Sequence, residues 1–303
     1  MSKLRSVVHK FLVDYFPKYM IGREWKIQFG KKMDWNNPVT LNEKIQWLMA
    51  NTDTSVWTRL ADKVQVRDFI REKGFGDTLT EVYGVWDRAE DIDFDSLPEK
   101  CVLKCNHDCE SIVILDKSKG FDKQQIINHF KKHLVPFGYG SCEPHYTKIK
   151  PKVMAEELIP MDPTVDSTSL VDYKFWCFDG YVHNCTPCYD RKGLDMVCDI
   201  NLLEPWRLYR EGLTDEYRES HVFKDMPAPP NLDKMIEMCK VLSTGFPEVR
   251  VDLYDTCGRI YFGEMTFSAG SGIMRQFSDE YQKQMGSYVK LGIVSNNKRY
   301  AKQ

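Results

Sequence analysis

The sequence has no long apolar run, little excess charge and no internal repeat. No stretch of about 18 apolar residues occurs, so we expect no transmembrane helix. Charged residues interrupt the apolar positions near the start, so we expect no signal peptide. A net charge of −2 gives no general attraction for nucleic acid, and we expect no nucleic-acid partner. The 303 residues, 42% hydrophobic and 28% charged, predict a soluble cytoplasmic protein.

The ten cysteines lack the spacing of a zinc site. Cys185-Thr-Pro-Cys188 is a single CxxC motif, and Cys101, Cys105 and Cys109 are spaced by four, which suits no common zinc knuckle. A chain of this length needs no disulfides to stabilise its core. We therefore expect free, mostly buried thiols in a reducing compartment.

Helical patterns dominate the early part of the chain and strand patterns follow. A capping box at Thr40-Leu-Asn-Glu43 begins a helix. Strands at 173–178 and 181–185 flank Asp179-Gly180, which favours a tight hairpin turn. Further strands are predicted at 101–104, 112–115 and 152–159, and a helix at 123–134. Evenly alternating βαβ units are absent, so the pattern indicates an α+β fold with mostly antiparallel strands.

Residues 1–32 combine basic charge with an apolar helical face. They contain eight Lys or Arg residues against Asp14 and Glu24. The face is formed by Leu4, Val7, Val8, Phe11, Leu12 and Tyr15. Two interpretations are open. The helix packs on its own domain with lysines at its edge, which we favour, or it makes a peripheral contact with the anionic surface of the inner membrane.

Two carboxylates are predicted to oppose each other across a hairpin near the end of the chain. Residues 249–254 alternate between apolar and polar, and 255–258 supply a turn. The return strand is predicted to present Ile260, Phe262, Glu264 and Thr266 on one face. Asp252 then lies opposite or diagonal to Glu264, and such like charges destabilise a sheet. Either a cation such as Mg²⁺ lies between them, or Arg250 neutralises one acid while solvent covers the other.

Several cations lie at the ends of predicted elements. Lys104 precedes a polar loop, 105–111, whose backbone and lysine suit phosphate oxygens although no Walker pattern is present. Lys63 lies at a predicted helix start, where a nearby anion would offset its unfavourable charge. Lys174 lies on a predicted strand and Arg191 closely follows the next one, and either suits a transferring phosphoryl group. Taken singly, each of them is better explained as a surface residue.

The order of these motifs resembles that of ATP-grasp enzymes. More narrowly, the sequence resembles the TupA-like ATP-grasp proteins of bacterial surface polysaccharide biosynthesis, over residues 35–290. The matching stretches are 37–47, 61–63, 102–107, 172–175, 178–180, 250–254 and 261–267. The last two, Arg-Val-Asp and Phe-Gly-Glu, are the most specific.

The resemblance implies an ATP-grasp fold, with two α+β lobes that clasp ATP and Mg²⁺. A largely helical region would occupy residues 1–98. The smaller lobe, 99–170, would carry the phosphate loop and adenine hinge. The larger lobe, 171–303, would carry the metal site.

The resemblance also implies the roles of individual residues. The nucleotide would be bound by Lys63, Lys104, His107, Glu156, Glu157, Leu158 and Ile159, the last four as the adenine hinge. The metal ligands would be Asp252, Glu264 and Thr266. Lys174 and Arg191 would steady the transferring phosphoryl group, and Arg250 would face the reacting carboxylate. Two departures stand out: Thr266 replaces a common Asn, and Asp108 and Glu110 occupy the phosphate loop, where they would repel a triphosphate unless they face away.

The implied activity is that of an ATP- and Mg²⁺-dependent carboxylate–amine ligase that works through an acylphosphate. It would attach an amino acid or other amine to a sugar carboxylate or amino sugar, in capsule, O-antigen or other surface polysaccharide synthesis. One alternative is a glycosyltransferase, although Asp91-Ile-Asp93 and Asp93-Phe-Asp95 lie in a predicted acidic loop. Another is a non-catalytic nucleotide-binding scaffold, suggested by the two acids in the phosphate loop.

Overall fold

A computed structural model describes residues 3–193 and 195–292. Helices come first, as α1 (Lys3–Tyr15), α2 (Pro17–Phe29), α3 (Leu41–Asn51), α4 (Ser55–Ala61) and α5 (Val66–Glu72). The capping box predicted at the start of α3 is confirmed, because the Thr40 side chain accepts from the Glu43 N–H and the Glu43 carboxylate accepts from the Thr40 N–H. None of the helices in the described residues is long and apolar enough to cross a membrane.

The first sheet has four antiparallel strands in the spatial order β1-β4-β2-β3. They are β1 (Val82–Trp86), β2 (Lys100–Cys105), β3 (Val113–Asp116) and β4 (Val153–Glu156), and α6 (Lys123–His133) follows β3. Phe130 and Ile126 of α6 pack with Leu103 and Ala155 of the sheet in a small separate core. This sheet carries two of the predicted nucleotide-binding residues, Lys104 on β2 and Glu156 on β4.

The second sheet has the spatial order β11-β10-β5-β6-β8-β9, with β7 paired to β6. Its strands are β5 (Asp172–Phe178), β6 (Tyr181–Lys192), β7 (Asp195–Cys198), β8 (Asn201–Leu203), β9 (Trp206–Leu208), β10 (Val249–Thr256) and β11 (Arg259–Thr266). Two helices, α7 (Asp215–Ser220) and α8 (Leu232–Ser243), lie between β9 and β10 in the sequence, and α9 (Asp279–Tyr288) follows β11. Asp179 and Gly180 have φ of 49° and 82° at the β5–β6 turn, so the predicted hairpin is confirmed. Helices with antiparallel sheets confirm the α+β class.

The main core lies between the second sheet and helices α3, α4, α8 and α9. Leu41, Ile45 and Leu48 of α3 pack in one cluster with Met235 of α8 and Phe175 of β5. These buried apolar side chains stabilise the fold through the area that they remove from water. The core fixes β5, β10 and β11 as a rigid base for their polar face.

Most of the apolar face of α1 is exposed, although Leu12 packs against the main core. Leu4, Phe11 and Tyr15 are 73%, 52% and 69% exposed, and only Val13 of this helix is fully buried. The helix therefore packs on its own domain through Leu12 and Val13, as the favoured interpretation expects, while the other residues of its predicted apolar face are exposed. The register of α1 is also set by the polar contacts of its other side.

The expectation that all cysteines are free is also wrong at one pair. Cys188 and Cys198 form a disulfide between β6 and β7. The two residues are direct partners in the strand pairing, with Cα atoms 4.4 Å apart, a separation that a disulfide can span. Cys185 of the CxxC motif remains free and buried. Strand pairing, which the cysteine spacing does not reveal, decided this contact.

Candidate functional site

The β10–β11 hairpin places the predicted acid pair directly opposite one another. Asp252 pairs with Glu264, and Arg250 pairs with Thr266. Directly paired residues in a sheet share a face, so all four side chains project from the same side. The sequence prediction of an opposed carboxylate pair is confirmed.

A bulge at Gly263 changes the face of the earlier residues in β11. The pairing moves from Asp252–Glu264 to Leu253–Phe262, which leaves Gly263 without a partner. Phe262 therefore lies in the core with Leu253 rather than beside Glu264, and the prediction of one shared face is wrong at this point. A Cβ at Gly263 would lie 2.9 Å from the Asp252 carbonyl oxygen, so the bulge requires glycine.

Protein cations occupy the space around the two acids. Arg250 donates to both oxygens of Asp252, with Nε and Nη2 at 2.6 and 2.7 Å, and its Nη2 lies 3.2 Å from Glu264. Lys174 Nζ lies 2.5 Å from Asp252. Asp252 is 1% exposed, so these are strong contacts in a region of low dielectric constant. The structure brings Arg250, Lys174, Asp252, Glu264 and Thr266 together as predicted neighbours.

Lys63 connects Glu264 to the loop after β2. It lies in the turn between α4 and α5 rather than at a helix start, and its ammonium is 3.7 Å from Glu264. It also donates to the Asp108 carbonyl oxygen at 2.8 Å. Burial raises the pKa of Glu264, but the charges of Lys63, Arg250 and Lys174 outweigh it and hold that pKa well below its usual value. Glu264 is therefore fully ionised at neutral pH.

A third carboxylate, Asp172, belongs to the same cluster and was not assigned a role from the sequence. It contacts Lys174 and lies 3.6 Å from Arg191. Its Oδ1 is buried without a hydrogen-bond partner in the described residues, and burial raises its pKa. Tyr254 faces it, and the charge of Asp172 is the largest cause of the raised Tyr254 pKa. The Asp-x-Lys spacing could have indicated Asp172, because residues two apart in a strand share a face.

The predicted adenine hinge lies at the end of β4. Lys104 of β2 forms an ion pair with Glu156, which also accepts a hydrogen bond from Thr80 at 2.9 Å. Glu157 lies 3.3 Å from the Tyr261 hydroxyl of β11, so it links the first sheet to the second. Leu158 and Ile159 follow β4 outside regular structure and are half-buried. Arg259 of β11 also lies 3.4 Å from Glu157, so the predicted hinge contacts the β10–β11 hairpin directly.

His107 is separate from this cluster, because its imidazole is already bonded inside the protein. Its Nε2 lies 2.9 Å from the Val135 carbonyl oxygen, and the ring packs edge-on against Phe137. The residue is 1% exposed, and burial lowers its pKa. The backbone N–H of Lys63 donates to the carbonyl of the adjacent Asn106 at 2.9 Å, so His107 lies near Lys63 although its ring nitrogen is bonded elsewhere.

The acids of the phosphate loop differ in direction. Asp108 is buried, accepts from the backbone N–H of Ser111 and lies 3.0 Å from His133 Nδ1 of α6. Its carboxylate thus holds the loop from inside, with only its carbonyl directed to Lys63. Glu110 is exposed to solvent. The predicted repulsion of a triphosphate by Asp108 is relieved because that side chain faces α6.

Sequence reasoning missed a buried acid and a tyrosine from the segment before β4. Glu143 accepts hydrogen bonds from Ser141, Ser268 and Ser271, two of which follow β11, and burial raises its pKa. Tyr146 lies close enough that Glu264 and Glu143, after burial, raise its pKa. Segments more than 100 residues apart form this contact, and no local pattern in the sequence signals it.

The cluster as a whole suits a magnesium nucleotide. Ion pairs join four cations to three carboxylates, which leaves a formal charge of +1; the members are Lys63, Lys174, Arg191, Arg250, Asp172, Asp252 and Glu264. Carboxylate and hydroxyl oxygens are suitable Mg²⁺ ligands. Within the described residues, no group of three His, Cys, Asp or Glu side chains is arranged to hold a metal alone. Mg²⁺ commonly binds through one or two carboxylates plus substrate phosphates, and the paired Asp252 and Glu264 could supply the carboxylates.

Comparisons with solved structures give ATP-grasp ligases. The D-alanine–D-alanine ligase of Bacillus anthracis, in complex with ATP, is 15% identical over 81% of this chain and 68% of its own, with a TM-score of 0.44. The L-amino acid ligase of Bacillus licheniformis is 13% identical over 84% and 55%, with a TM-score of 0.46. The ATP-grasp ligase PsnB, with a precursor variant, Mg and ADP, is 9% identical over 93% and 74%, with a TM-score of 0.41. The comparison with curated proteins gave no match.

The sequence matches the family model described as TupA-like ATPgrasp over residues 43–290. This range is most of the chain and contains both sheets and the ion cluster. The match confirms the predicted ATP-grasp fold. The chain belongs to the TupA-like ATP-grasp family.

Proposed function

We propose that this protein is an ATP- and Mg²⁺-dependent carboxylate–amine ligase. The observation that carries the proposal is the directly opposed pair of Asp252 and Glu264, contacted by Arg250, Lys174 and Lys63. Fixed cations beside oxygen ligands are what phosphoryl transfer requires, because its catalysis is mostly positioning and charge stabilisation. Asp252, Glu264 and Thr266 would hold Mg²⁺, which when bound would supply positive charge beside the phosphates.

The cation contacts suggest how the site receives its nucleotide. Lys174 and Arg250 both contact the Asp252 carboxylate. If Asp252 bound a metal ion, the ion would compete with these two cations for the same oxygens. We infer that Lys174 and Arg250 would turn from Asp252 toward phosphate oxygens when Asp252 serves as a metal ligand. Each charge then keeps a partner, so the exchange avoids leaving a buried charge unpaired. Lys63, already bonded to the loop at Asp108, is placed to follow the phosphates.

The reaction has two steps. A substrate carboxylate oxygen attacks the γ-phosphorus of ATP, and the bond to the bridging oxygen breaks, which gives ADP and an acylphosphate. An amine then attacks the acyl carbon, loses a proton and expels phosphate, which forms an amide. Lys174 and Arg191 would stabilise the phosphoryl group during transfer, and Arg250 would orient the carboxylate. Lys104, His107 and residues 156–159 remain the proposed nucleotide-binding residues, although the imidazole of His107 is already bonded to Val135.

Family membership supports the finer parts of this proposal. We propose a cytoplasmic enzyme that joins an amino acid or other amine to a sugar carboxylate or amino sugar of a surface polysaccharide. We retain lobes of 99–170 and 171–303 after a helical region of 1–98. The β1 strand of that region pairs with β4 in the first sheet, so it would complete the smaller lobe.

The test is a search for an activated carboxylate. The protein is incubated with ATP, Mg²⁺ and uronic-acid sugars, with hydroxylamine as a general amine, and ADP and hydroxamate are measured together. Amino acids then replace hydroxylamine, and mass spectrometry identifies a product equal to acid plus amine minus water. Glu264→Gln should abolish both signals, while Asp199→Asn, which alters a buried ion pair with Arg210 outside the cluster, should retain them. Full turnover by Glu264→Gln, or stabilisation by sugar nucleotides but not by ATP, would count against a ligase.

A further inference from the structure

The apolar side of α1 and the start of α2 form an exposed surface that we call the N-terminal patch. It consists of Leu4, Val7, Val8, Phe11, Tyr15, Phe16 and Tyr19. All of these side chains are 49% to 73% exposed. We propose that the N-terminal patch docks on a membrane surface that contains anionic lipids.

The contacts on the other side of α1 hold the patch outward. His9 Nε2 lies 2.8 Å from the Tyr139 carbonyl oxygen. Asp14 accepts a hydrogen bond from the Tyr139 hydroxyl and forms an ion pair with Lys148. Val13 is buried between these positions. Because these polar contacts, Leu12 and Val13 hold the other side of the helix on the protein, the apolar residues at 4, 7, 8, 11 and 15 face outward and are exposed.

Charge favours a membrane as the occupant of this surface. Residues 1–32 carry eight basic and two acidic side chains, a net charge of +6. The whole chain carries −2, so the other residues together carry −8. An anionic lipid surface would therefore attract this end of the molecule and repel the rest, which sets a single orientation.

The chemistry of the patch also suits an interface between lipid and water. The Phe11 ring lies 4.8 Å from that of Tyr15 and 6.2 Å from that of Phe16, so three aromatic rings form one exposed group. Aromatic residues beside lysines and arginines are typical of helices that lie in the headgroup region. A second copy of this chain fits less well, because a symmetric contact would bring two segments of charge +6 together.

The experiment measures co-sedimentation of the full chain with vesicles. One vesicle set contains phosphatidylcholine alone, and the other contains equal parts of phosphatidylcholine and phosphatidylglycerol. We expect binding only to the second set, and weaker binding at high salt because screening shortens the reach of the charges. The double variant Phe11→Ser and Tyr15→Ser should lower the partition coefficient about tenfold or more, while Val222→Ser, at a residue 85% exposed elsewhere, should leave it unchanged.

Thermal unfolding of the double variant, unchanged from the parent, would show that its fold is intact. Absence of binding, equal binding to both vesicle sets, or equal loss in Val222→Ser would overturn the proposal. A dimer of the parent chain in solution that the double variant abolishes would show that a second copy covers the patch. None of these readouts depends on ATP turnover, so the proposed ligase activity can fail independently.

Discussion

Replacing Asp252 with Asn tests the electrostatics of the cluster. The substitution keeps the side-chain size but removes a charge that Lys174 and both nitrogens of Arg250 contact. The cluster then changes from a formal charge of +1 to +2. Because a buried ion pair is broken, we expect a loss of about 3–5 kcal/mol in the free energy of unfolding without nucleotide.

The same change should separate two kinds of ATP binding. Without Mg²⁺, the released Lys174 and Arg250 should bind ATP as tightly as in the parent or more tightly. With Mg²⁺, the lost ligand should remove the gain in affinity that the metal gives. Turnover should fall about 100- to 10,000-fold, the equivalent of several kcal/mol of transition-state stabilisation by the metal.

Isothermal titration of ATP with and without Mg²⁺ gives both affinities in one experiment. Asp199→Asn is the matched control, since it breaks a buried pair with Arg210 at 2.9 Å outside the cluster. It should lower stability but keep the effect of Mg²⁺. If Asp252→Asn retained the parent's Mg²⁺ dependence, Asp252 would not be a metal ligand and the proposed exchange of cations would be refuted.

Three further changes test other parts of the site. Gly263→Ala places a Cβ 2.9 Å from the Asp252 carbonyl oxygen, so chemical denaturation should show a loss of about 1–3 kcal/mol from crowding and titration a weaker effect of Mg²⁺. His133→Phe removes the contact that turns Asp108 toward α6, so calorimetry should show a Kd for ATP about tenfold higher, the size of one hydrogen bond to a charged group. Glu248 is buried without a hydrogen-bond partner in the described residues, and burial raises its pKa well above 4.5. This carboxyl therefore ionises at a lower pH in the unfolded chain than in the folded protein, so the parent loses stability as the pH rises above 4.5. Glu248→Gln should therefore unfold at a higher temperature than the parent at neutral pH, with a difference that shrinks as pH falls toward 4.5.

Each of these expectations has a contrary result. Gly140→Ala adds a Cβ with no atom within 4 Å, so equal damage by both glycine changes would show that crowding is not the cause. An unchanged Kd for ATP in His133→Phe would show that Asp108 faces away without its histidine. A stability difference for Glu248→Gln that is constant with pH would show that ionisation of this carboxyl does not contribute.

Local patterns were sufficient for several parts of this protein. The box at Thr40 and Glu43, the Asp179-Gly180 turn and the alternation around Asp252 predicted their elements correctly. Each depends on residues within a few positions of one another, where backbone geometry and burial period act directly. The family resemblance extended these elements to a fold.

Other features required contacts that no local pattern contains. The bulge at Gly263 reverses the face of Phe262, although strict alternation predicts the opposite. The disulfide of Cys188 and Cys198 depends on which strands pair. Glu143 joins the loop after β11 from another part of the chain. The bulge adds one residue to the regular alternation of β11. The other two contacts join segments that are separate in the sequence.

The sequence alone determined the helix start at Thr40, the Asp179-Gly180 turn and the hairpin that opposes Asp252 to Glu264, because capping, turn chemistry and strand alternation each depend on residues within a few positions. The tertiary structure decided that Asp172 completes the ion cluster, that Asp108 faces α6 and that the apolar side of α1 faces outward. Those directions depend on which distant side chain neutralises a charge or accepts a hydrogen bond, and folding alone brings such partners together.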